Sequence, residues 1–398
     1  MIDWHAIKLK DLCDKVTVGY VGPMADQYLD SGVTFLRSLN IKPFRIDLND
    51  VKFVSEEFHH QIRKSALRPG DVAVVRTGYP GTAAVVPNSL PISNCSDLVI
   101  VRPGKDLNPH FITAIFNSTF GQTLVSGNTV GAAQQHFNIT VAKELRFRVP
   151  SRKVQDKIAA ILSAYDELIE VNRRRIGLLE KLAEELYREW FVRLRFPGHE
   201  KAQFKVGQPI EWSPLRVAKV IRRLKFGRIY RQEELQNDGC VCVIDQSTDE
   251  ILGFYDGEPE HTATVDSPVL LFGDHTCKMV FMTKPFSLAE NVVPFVPQSS
   301  DSSAYFLFHL VRDLTRTTEY KRHWTELTTR EVLVPGTALQ QQFETAVKPL
   351  HEQRSLFAEL NRCLTRTRDL LLPRLISGKL RVEDLDIAFP PGMASGVA

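Results

Sequence analysis

Ile158-Ala159-Ala160-Ile161-Leu162-Ser163-Ala164-Tyr165-Asp166-Glu167-Leu168-Ile169-Glu170-Val171-Asn172-Arg173-Arg174-Arg175-Ile176 is the stretch from which the rest of the chain can be read. Ile158, Tyr165 and Asn172 recur every seven residues, and Leu179 and Leu186 continue the series. Leu162, Ile169, Ile176, Ala183 and Trp190 form a second seven-residue series, four positions later. Together they make an a/d seam of about four and a half heptads. The spacing predicts one long helix over 151–192, roughly 60 Å in length at about 1.5 Å per residue. Asn172 is polar and lies inside the seam. Such a residue costs stability but fixes register and pairing.

The same plan recurs 185 residues later. Phe147-Arg148-Val149-Pro150 leads into the first helix, with Gln155 and Ile158 near its start. Leu333-Val334-Pro335 leads into a second helical pattern, with Gln340 and Phe343 at matching offsets. Phe343, Leu350, Phe357, Leu364 and Leu371 repeat the first series; the companions Val347, Arg354, Asn361, Arg368 and Leu375 are more polar. Pro349 and Pro373 predict a bend or an interruption. A period this long is not a solenoid unit. It predicts two related heads, each followed by its own long helix. Pairing of the two seams within the chain, as an antiparallel coiled coil, is favoured over dimerisation by its higher effective concentration.

The heads read as mixed α/β. Val72-Ala73-Val74-Val75 and Leu98-Val99-Ile100-Val101 are strand candidates in the first, bounded by Pro69-Gly70-Asp71, Gly78-Tyr79-Pro80-Gly81 and Pro103-Gly104. Asn108-Pro109 opens a helix expected to run to about Leu124. In the second head, Val241-Cys242-Val243-Ile244, Val269-Leu270-Leu271-Phe272 and Val292-Val293-Pro294-Phe295 are the strands, and Ser302 to about Tyr320 is the matching helix. The expected domains are 1–150, a long helix 151–192, a linker 193–212, a second head 213–335, a second helix 336–380 and a tail 381–398. The fold class is α+β (mixed): two α/β heads separated by an antiparallel two-helix coiled coil, with a pseudo-twofold internal repeat.

Composition sets bounds on function. With 398 residues there is room for two domains, and 43% hydrophobic with 24% charged residues argues against global disorder. The net charge is only +3, so affinity for nucleic acid has to come from local patches. Lys+Arg number 16 against 13 Asp+Glu in residues 1–150, and 16 against 19 in 196–335. The six cysteines are scattered, and Cys240-Val241-Cys242 lacks the gap of a zinc knuckle, so reduced thiols and no metal are expected. Met1-Ile2-Asp3-Trp4-His5 has no apolar signal core, and there is no apolar run of the ~18 residues that a membrane span needs. A cytoplasmic location is expected.

This architecture resembles the specificity subunit of type I restriction–modification systems, over nearly the whole chain. The first helix, from Ile158 through Tyr187-Arg188-Glu189-Trp190-Phe191 to Phe196-Pro197-Gly198-His199-Glu200, is similar almost residue for residue to the family's central conserved region. Leu371-Leu372-Pro373-Arg374-Leu375-Ile376-Ser377-Gly378-Lys379-Leu380 is similar to its distal one. The resemblance implies two target-recognition domains, each reading half of a bipartite duplex sequence across an unread spacer. The helices would set that spacer and bind two copies of a modification subunit. S-adenosylmethionine and adenine-N6 methylation would belong to that partner. ATP, Mg and cleavage would belong to restriction–translocation subunits, in a system of DNA methylation and phage defence. Ile158, Leu162, Tyr165, Ile169, Asn172, Ile176, Leu179 and Leu186, with Phe343, Leu350, Phe357, Leu364 and Leu371, would form the helix and subunit interface.

Candidate DNA contacts follow from residue chemistry. In head one, Arg76, Thr77 and Tyr79 follow a buried strand, where an arginine fork can meet guanine or a surface turn can solvate it. Asn128, Gln134, Gln135, His136 and Asn138 are rich in amides, which pair with adenine edges or with their own loop. In head two, Arg222, Arg223, Lys225, Arg228, Tyr230 and Arg231 interleave cations with aromatics, which suits phosphate and stacking or a solvated face. Asp274, His275 and Lys278 occupy the position equivalent to Arg76-Thr77, where Asp274 can accept from cytosine or close a hairpin. Arg322-His323-Trp324 matches the end of the amide loop of head one.

No adenine-methylase Asn/Asp-Pro-Pro-aromatic motif, nucleotide-binding Gly-x-x-x-x-Gly-Lys-Ser/Thr loop or His-Glu-x-x-His is present. A non-catalytic recognition subunit is therefore expected. The rival is a coiled-coil scaffold whose two heads bind proteins and no DNA.

Overall fold

The computed structural model describes residues 4–127, 137–247, 251–317 and 321–389. It divides into two compact units, Met1–Val171 with Leu360–Ala398, and Asn172–Glu359. Each unit holds one head and a stretch of both long helices.

In the first unit, an antiparallel sheet runs in the order Cys13–Val18, Leu98–Pro103, Val72–Val75, Ala83–Val85. Its inner strands are covered on both faces, which is why they read as unbroken apolar runs. Val72, Val74, Val99 and Val101 face the helices, in a core shared with Phe111, Phe116 and Phe147. Ala73, Val75, Leu98 and Ile100 face the other way, toward Leu36, Leu67 and Cys95. Those last residues lie on a second sheet, ordered Lys52–Val54, Val33–Leu36, Ser93–Cys95, Ala66–Leu67, whose middle pair is parallel. The turn before Val72 is pinned by Asp71, which is buried and accepts 2.7 and 2.6 Å bonds from Arg102. A third ladder, His5–Lys8 with Arg146–Val149, closes the head.

The second unit repeats this connectivity. One sheet runs Ile221–Arg223, Val292–Pro297, Val269–Gly273, Met279–Met282. The other runs Ile251–Tyr255, Val241–Ile244, Phe286–Leu288, again with a parallel pair, Val241–Ile244 and Phe286–Leu288. Ser213–Arg216 pairs with Glu331–Val334 as the closing ladder.

Two helices are shorter than their patterns suggest. The helix after Asn108 ends at Asn117, and a second begins at Thr119. Ser118 caps the second by accepting from Gly121 N at 3.1 Å. Gly121 lies so close to the first helix that a Cβ there would come within 2.0 Å of Ile115 O, so only glycine permits the corner. In head two the helix Ala304–Val311 stops well short of residue 320. Its apolar run gives way to Arg312-Asp313 and then to threonine-rich sequence, which favours helix poorly.

The long helices are Arg152–Tyr187, extended by a π-helical turn at Arg188–Val192, and Thr337–Ile376. Of the bend or interruption expected at Pro349 and Pro373, the interruption does not occur: the second helix continues through both prolines. Phe343 and Val347, and Leu372 and Leu375, are buried beside the two prolines, and this packing outweighs the backbone bonds that proline removes. In the first unit the helices run antiparallel: Asn361 Nδ2 donates to Ile169 O at 3.2 Å, and Arg368 NH1 to Asp166 Oδ1 at 2.5 Å. In the second, Arg354 Nε donates to Glu180 at 2.5 Å and Arg175 lies 5.2 Å from the Phe357 ring centroid, again antiparallel. The polar companions Arg354, Asn361 and Arg368 thus face the other helix and bond to it. Ile158, Leu162, Ile169, Asn172 and Phe343 are buried, whereas Tyr165, Ile176, Leu179, Leu186, Leu350, Phe357, Leu364 and Leu371 are half-buried. No helix among the described residues is long and apolar enough to cross a membrane.

Matching amides fasten each helix to its head. Gln155 Oε1 accepts from Asn108 N at 2.9 Å, while Nε2 donates to Pro150 O at 2.9 Å and Asp106 O at 3.0 Å. Gln340 Oε1 accepts from Ser303 N at 3.2 Å, and Nε2 donates to Pro335 O at 2.9 Å. Both are buried. Gln155→Leu orphans buried backbone groups and is expected to lower stability by roughly 2–4 kcal/mol in urea unfolding, with hydrogen exchange loosening first at Asn108–Phe111.

A buried imidazole pair, His309 and His351, meets Nε2 to Nε2 at 3.4 Å in the second unit. Burial first, then His351 and Arg312, hold His309 well below its usual range. Burial, then Arg354 and Arg312, lower His351 to about 3. Both are therefore neutral when folded and protonatable when unfolded. Their contribution is complete above pH 6.5, the ordinary value, and falls as pH drops toward the folded value. Thermal melts from pH 7 to 5 are expected to show stability declining, by up to roughly 1.4 kcal/mol per pH unit for each imidazole. His351→Phe is expected to flatten that slope.

Candidate nucleic-acid interface

In each head, a hairpin residue pins the start of a short helix. In head one, Arg76 O accepts from Phe137 N at 3.1 Å, and Arg76 Nε donates to Phe137 O at 3.3 Å. Arg76 NH1 also lies 3.5 Å from Asp97 Oδ1, and Thr77 Oγ1 donates to the same carboxylate. Asn138 caps the helix Ile139–Glu144 by accepting from Val141 N at 2.8 Å. In head two, Asp274 O accepts from His323 N at 2.8 Å. Asp274 Oδ1 accepts from His323 N at 3.0 Å and Trp324 N at 2.8 Å, at the start of the helix Trp324–Thr329.

These bonds commit Arg76, Thr77, Asn138 and Asp274 to the framework. The Asp274 side chain, expected from sequence as a cytosine acceptor, is only 11% exposed. The closure joins residues about fifty positions apart, so it left no mark in local sequence. Tyr79, by contrast, is 84% exposed. Asn128, Gln134, Gln135 and His136 lie outside the described residues. His275 Nδ1 lies 3.1 Å from Lys321 O, and Lys278 Nζ donates to Ser247 O at 2.6 Å. Arg322 remains on the surface, 3.8 Å from Asp274 Oδ2.

The basic stretch of head two begins on the edge strand Ile221–Arg223 and continues into the following loop. Arg222, Arg223, Lys225, Arg228 and Arg231 are all exposed. Arg228 is ion-paired with Glu234 and lies 4.6 Å from the ring centroid of Tyr230. The Arg231 backbone N–H and the Arg228 side chain hold the Glu234 carboxyl below its usual range. Tyr230 is buried and stacks on Tyr255 at 4.5 Å. Arg223 lies over Phe226 at 4.6 Å and faces Trp324 at 5.9 Å, which unites two stretches a hundred residues apart. Beside the loop is an open cleft of about 390 Å³, lined among others by Arg231, Gln232, Gln246 and Asn291. Those amides are dispersed in sequence and gave no signal there. Among the described residues no group of three or more His, Cys, Asp or Glu is placed to hold a metal ion.

Residues 1–181 match the family model described as the type I restriction modification DNA specificity domain. The MjaIX type I restriction enzyme specificity subunit of Methanocaldococcus jannaschii is 21% identical over 426 residues, covering 96% of this chain and 95% of the relative. Over nearly its whole length the chain is thus similar to type I restriction–modification specificity subunits, and residues 1–181 match their DNA specificity domain. The EcoBI specificity subunit of Escherichia coli is 24% identical over 175 residues, covering 42% of this chain and 36% of its own. The solved structure of a type I S subunit from M. genitalium shares the fold, with a TM-score of 0.56 at 15% identity over 94% of this chain and 96% of that one. As a specificity subunit the chain is not itself an enzyme; it works with DNA and with the other subunits of a restriction–modification system. A scaffold without DNA contact is not favoured by this similarity.

Asp274→Ala removes a helix cap and is expected to cost about 1–2 kcal/mol of stability. Arg76→Ala is expected to lower the melting temperature as well, rather than to alter recognition alone. Thermal melts of both variants, compared with their DNA affinities, check the framework roles.

Proposed function

We propose that this chain reads a bipartite duplex target, one half with each head, with the paired long helices serving as the spacer element. The observation that carries this reading is the repeated head: the same strand connectivity, closed by the same kind of ladder and fastened to a long helix by Gln155 or Gln340. Two heads of one architecture on one chain suit two separate half-sites, and half-sites one DNA turn apart are spaced by about 34–36 Å.

The partners we propose are two copies of a modification subunit, one for each unit, together with restriction–translocase subunits. In the first unit the helix pair leaves Leu168 and Leu370 in solvent; in the second it leaves Leu178, Leu182 and Leu356. Leucines exposed at helical spacing suit docking of a further helix from a partner. S-adenosylmethionine would be held by the modification subunits, and ATP and Mg by the translocase. The setting we propose is the cytoplasm, where the DNA and these partners are.

Methylome sequencing of the source cell is expected to reveal a split adenine-methylated motif with a gap of several bases; a continuous motif would count against two readers. Native mass spectrometry of the co-expressed complex is expected to give two modification subunits per chain. Leu178→Glu with Leu182→Glu is expected to reduce that number to one while the chain stays folded.

A further inference from the structure

The internal repeat supplies its own comparison for one residue of head two. Across equivalent ladders, Val101 faces Val16 in head one, and Phe295 faces Arg223 in head two. Both strands end two residues later in a proline, Pro103 or Pro297, which aligns the registers. Val16 is buried in its core. The equivalent position of head one is thus apolar and buried, whereas head two has an exposed arginine there.

Arg223 is not loose. Its guanidinium lies 4.6 Å from the ring centroid of Phe226 and 5.9 Å from that of Trp324. Trp324 is in turn fixed against Phe272 and Phe295, at 5.9 and 5.5 Å, and by the bond from its backbone N–H to Asp274. No acid forms an ion pair with Arg223 among the described residues. Stacking restrains the plane of a guanidinium while its N–H edge stays available to donate. Arg222 and Lys225 are exposed on the same strand and the following loop, whereas Arg322 at the helix start is paired with Asp274.

We infer that Arg223 is a DNA-contacting residue of head two, its paired donors meeting a two-acceptor edge of the duplex. The assignment rests on the bipartite reading proposed above. Two acceptors side by side occur on a phosphate and on the O6/N7 edge of guanine, and the arginine fork matches both.

The test uses the full chain co-expressed with its modification subunits and a duplex bearing the motif read from the methylome. If the wild-type complex fails to bind that duplex, the bipartite reading itself falls. If it binds, Arg223→Gln is expected to weaken binding by about 5- to 100-fold with an unchanged melting temperature. A guanine contact would relax methylation at one position of the half-site, and Arg223→Lys would not restore it. A phosphate contact would weaken all duplexes alike and reduce the slope of log affinity against log salt by about 0.9, and Arg223→Lys would restore the slope. Unchanged affinity and methylation pattern in Arg223→Gln would overturn the assignment. So would a lowered melting temperature with base preference and salt slope intact.

Discussion

A buried primary amide fastens each long helix to its head, and the remaining architecture follows from that attachment. Gln155 and Gln340 each accept from a backbone N–H at the start of a head helix and donate to the proline carbonyl before the long helix. An amide offers donor and acceptor together without a charge, so it can be buried at low cost when both are used. Those backbone groups would otherwise be orphaned inside the protein, where each costs more than an ordinary hydrogen bond contributes. Within each unit the long helix is therefore held at a defined angle by directional bonds as well as by apolar packing.

Where the two helices pair, directional bonds again supplement a thin core. Two helices side by side bury less than a helix against a sheet, and several seam residues remain half-exposed. In the first unit Arg368 is buried with its guanidinium 4.2 Å from the Phe44 ring centroid, bonded to Asp166 on the other helix and to Asp369. It joins head one to both helices at a single point. Asn361 and Arg354 make the corresponding cross-helix bonds farther along, the first in the same unit and the second in the other. A slip of register would break all of these bonds, which apolar contacts alone would not penalise so sharply.

The two heads share connectivity and differ in surface. Arg76 and Asp274 occupy equivalent hairpin positions and perform the same task with opposite charge, one through its carbonyl and guanidinium, the other through its carbonyl and carboxylate. At the equivalent ladder position, buried Val16 is replaced by stacked, exposed Arg223. A framework that tolerates such exchange lets the outward side chains of the two heads diverge, because the scaffold bonds do not depend on them.

The seven-residue series, the 185-residue offset and the buried strand runs were legible in the sequence because helix and strand periodicity are local properties. They pointed to two heads and two long helices and favoured an antiparallel pairing within the chain, and motif similarity in the first helix pointed to the family. The ends of the head helices were less legible, since Gly121 is required by contact with Ile115 rather than by its neighbours in sequence. The partners of the polar seam residues, the framework roles of Arg76 and Asp274, and the stacking of Arg223 between Phe226 and Trp324 were decided only in three dimensions. Each depends on groups brought together from distant parts of the chain, and a side chain becomes a scaffold bond or a free donor according to what the fold places beside it.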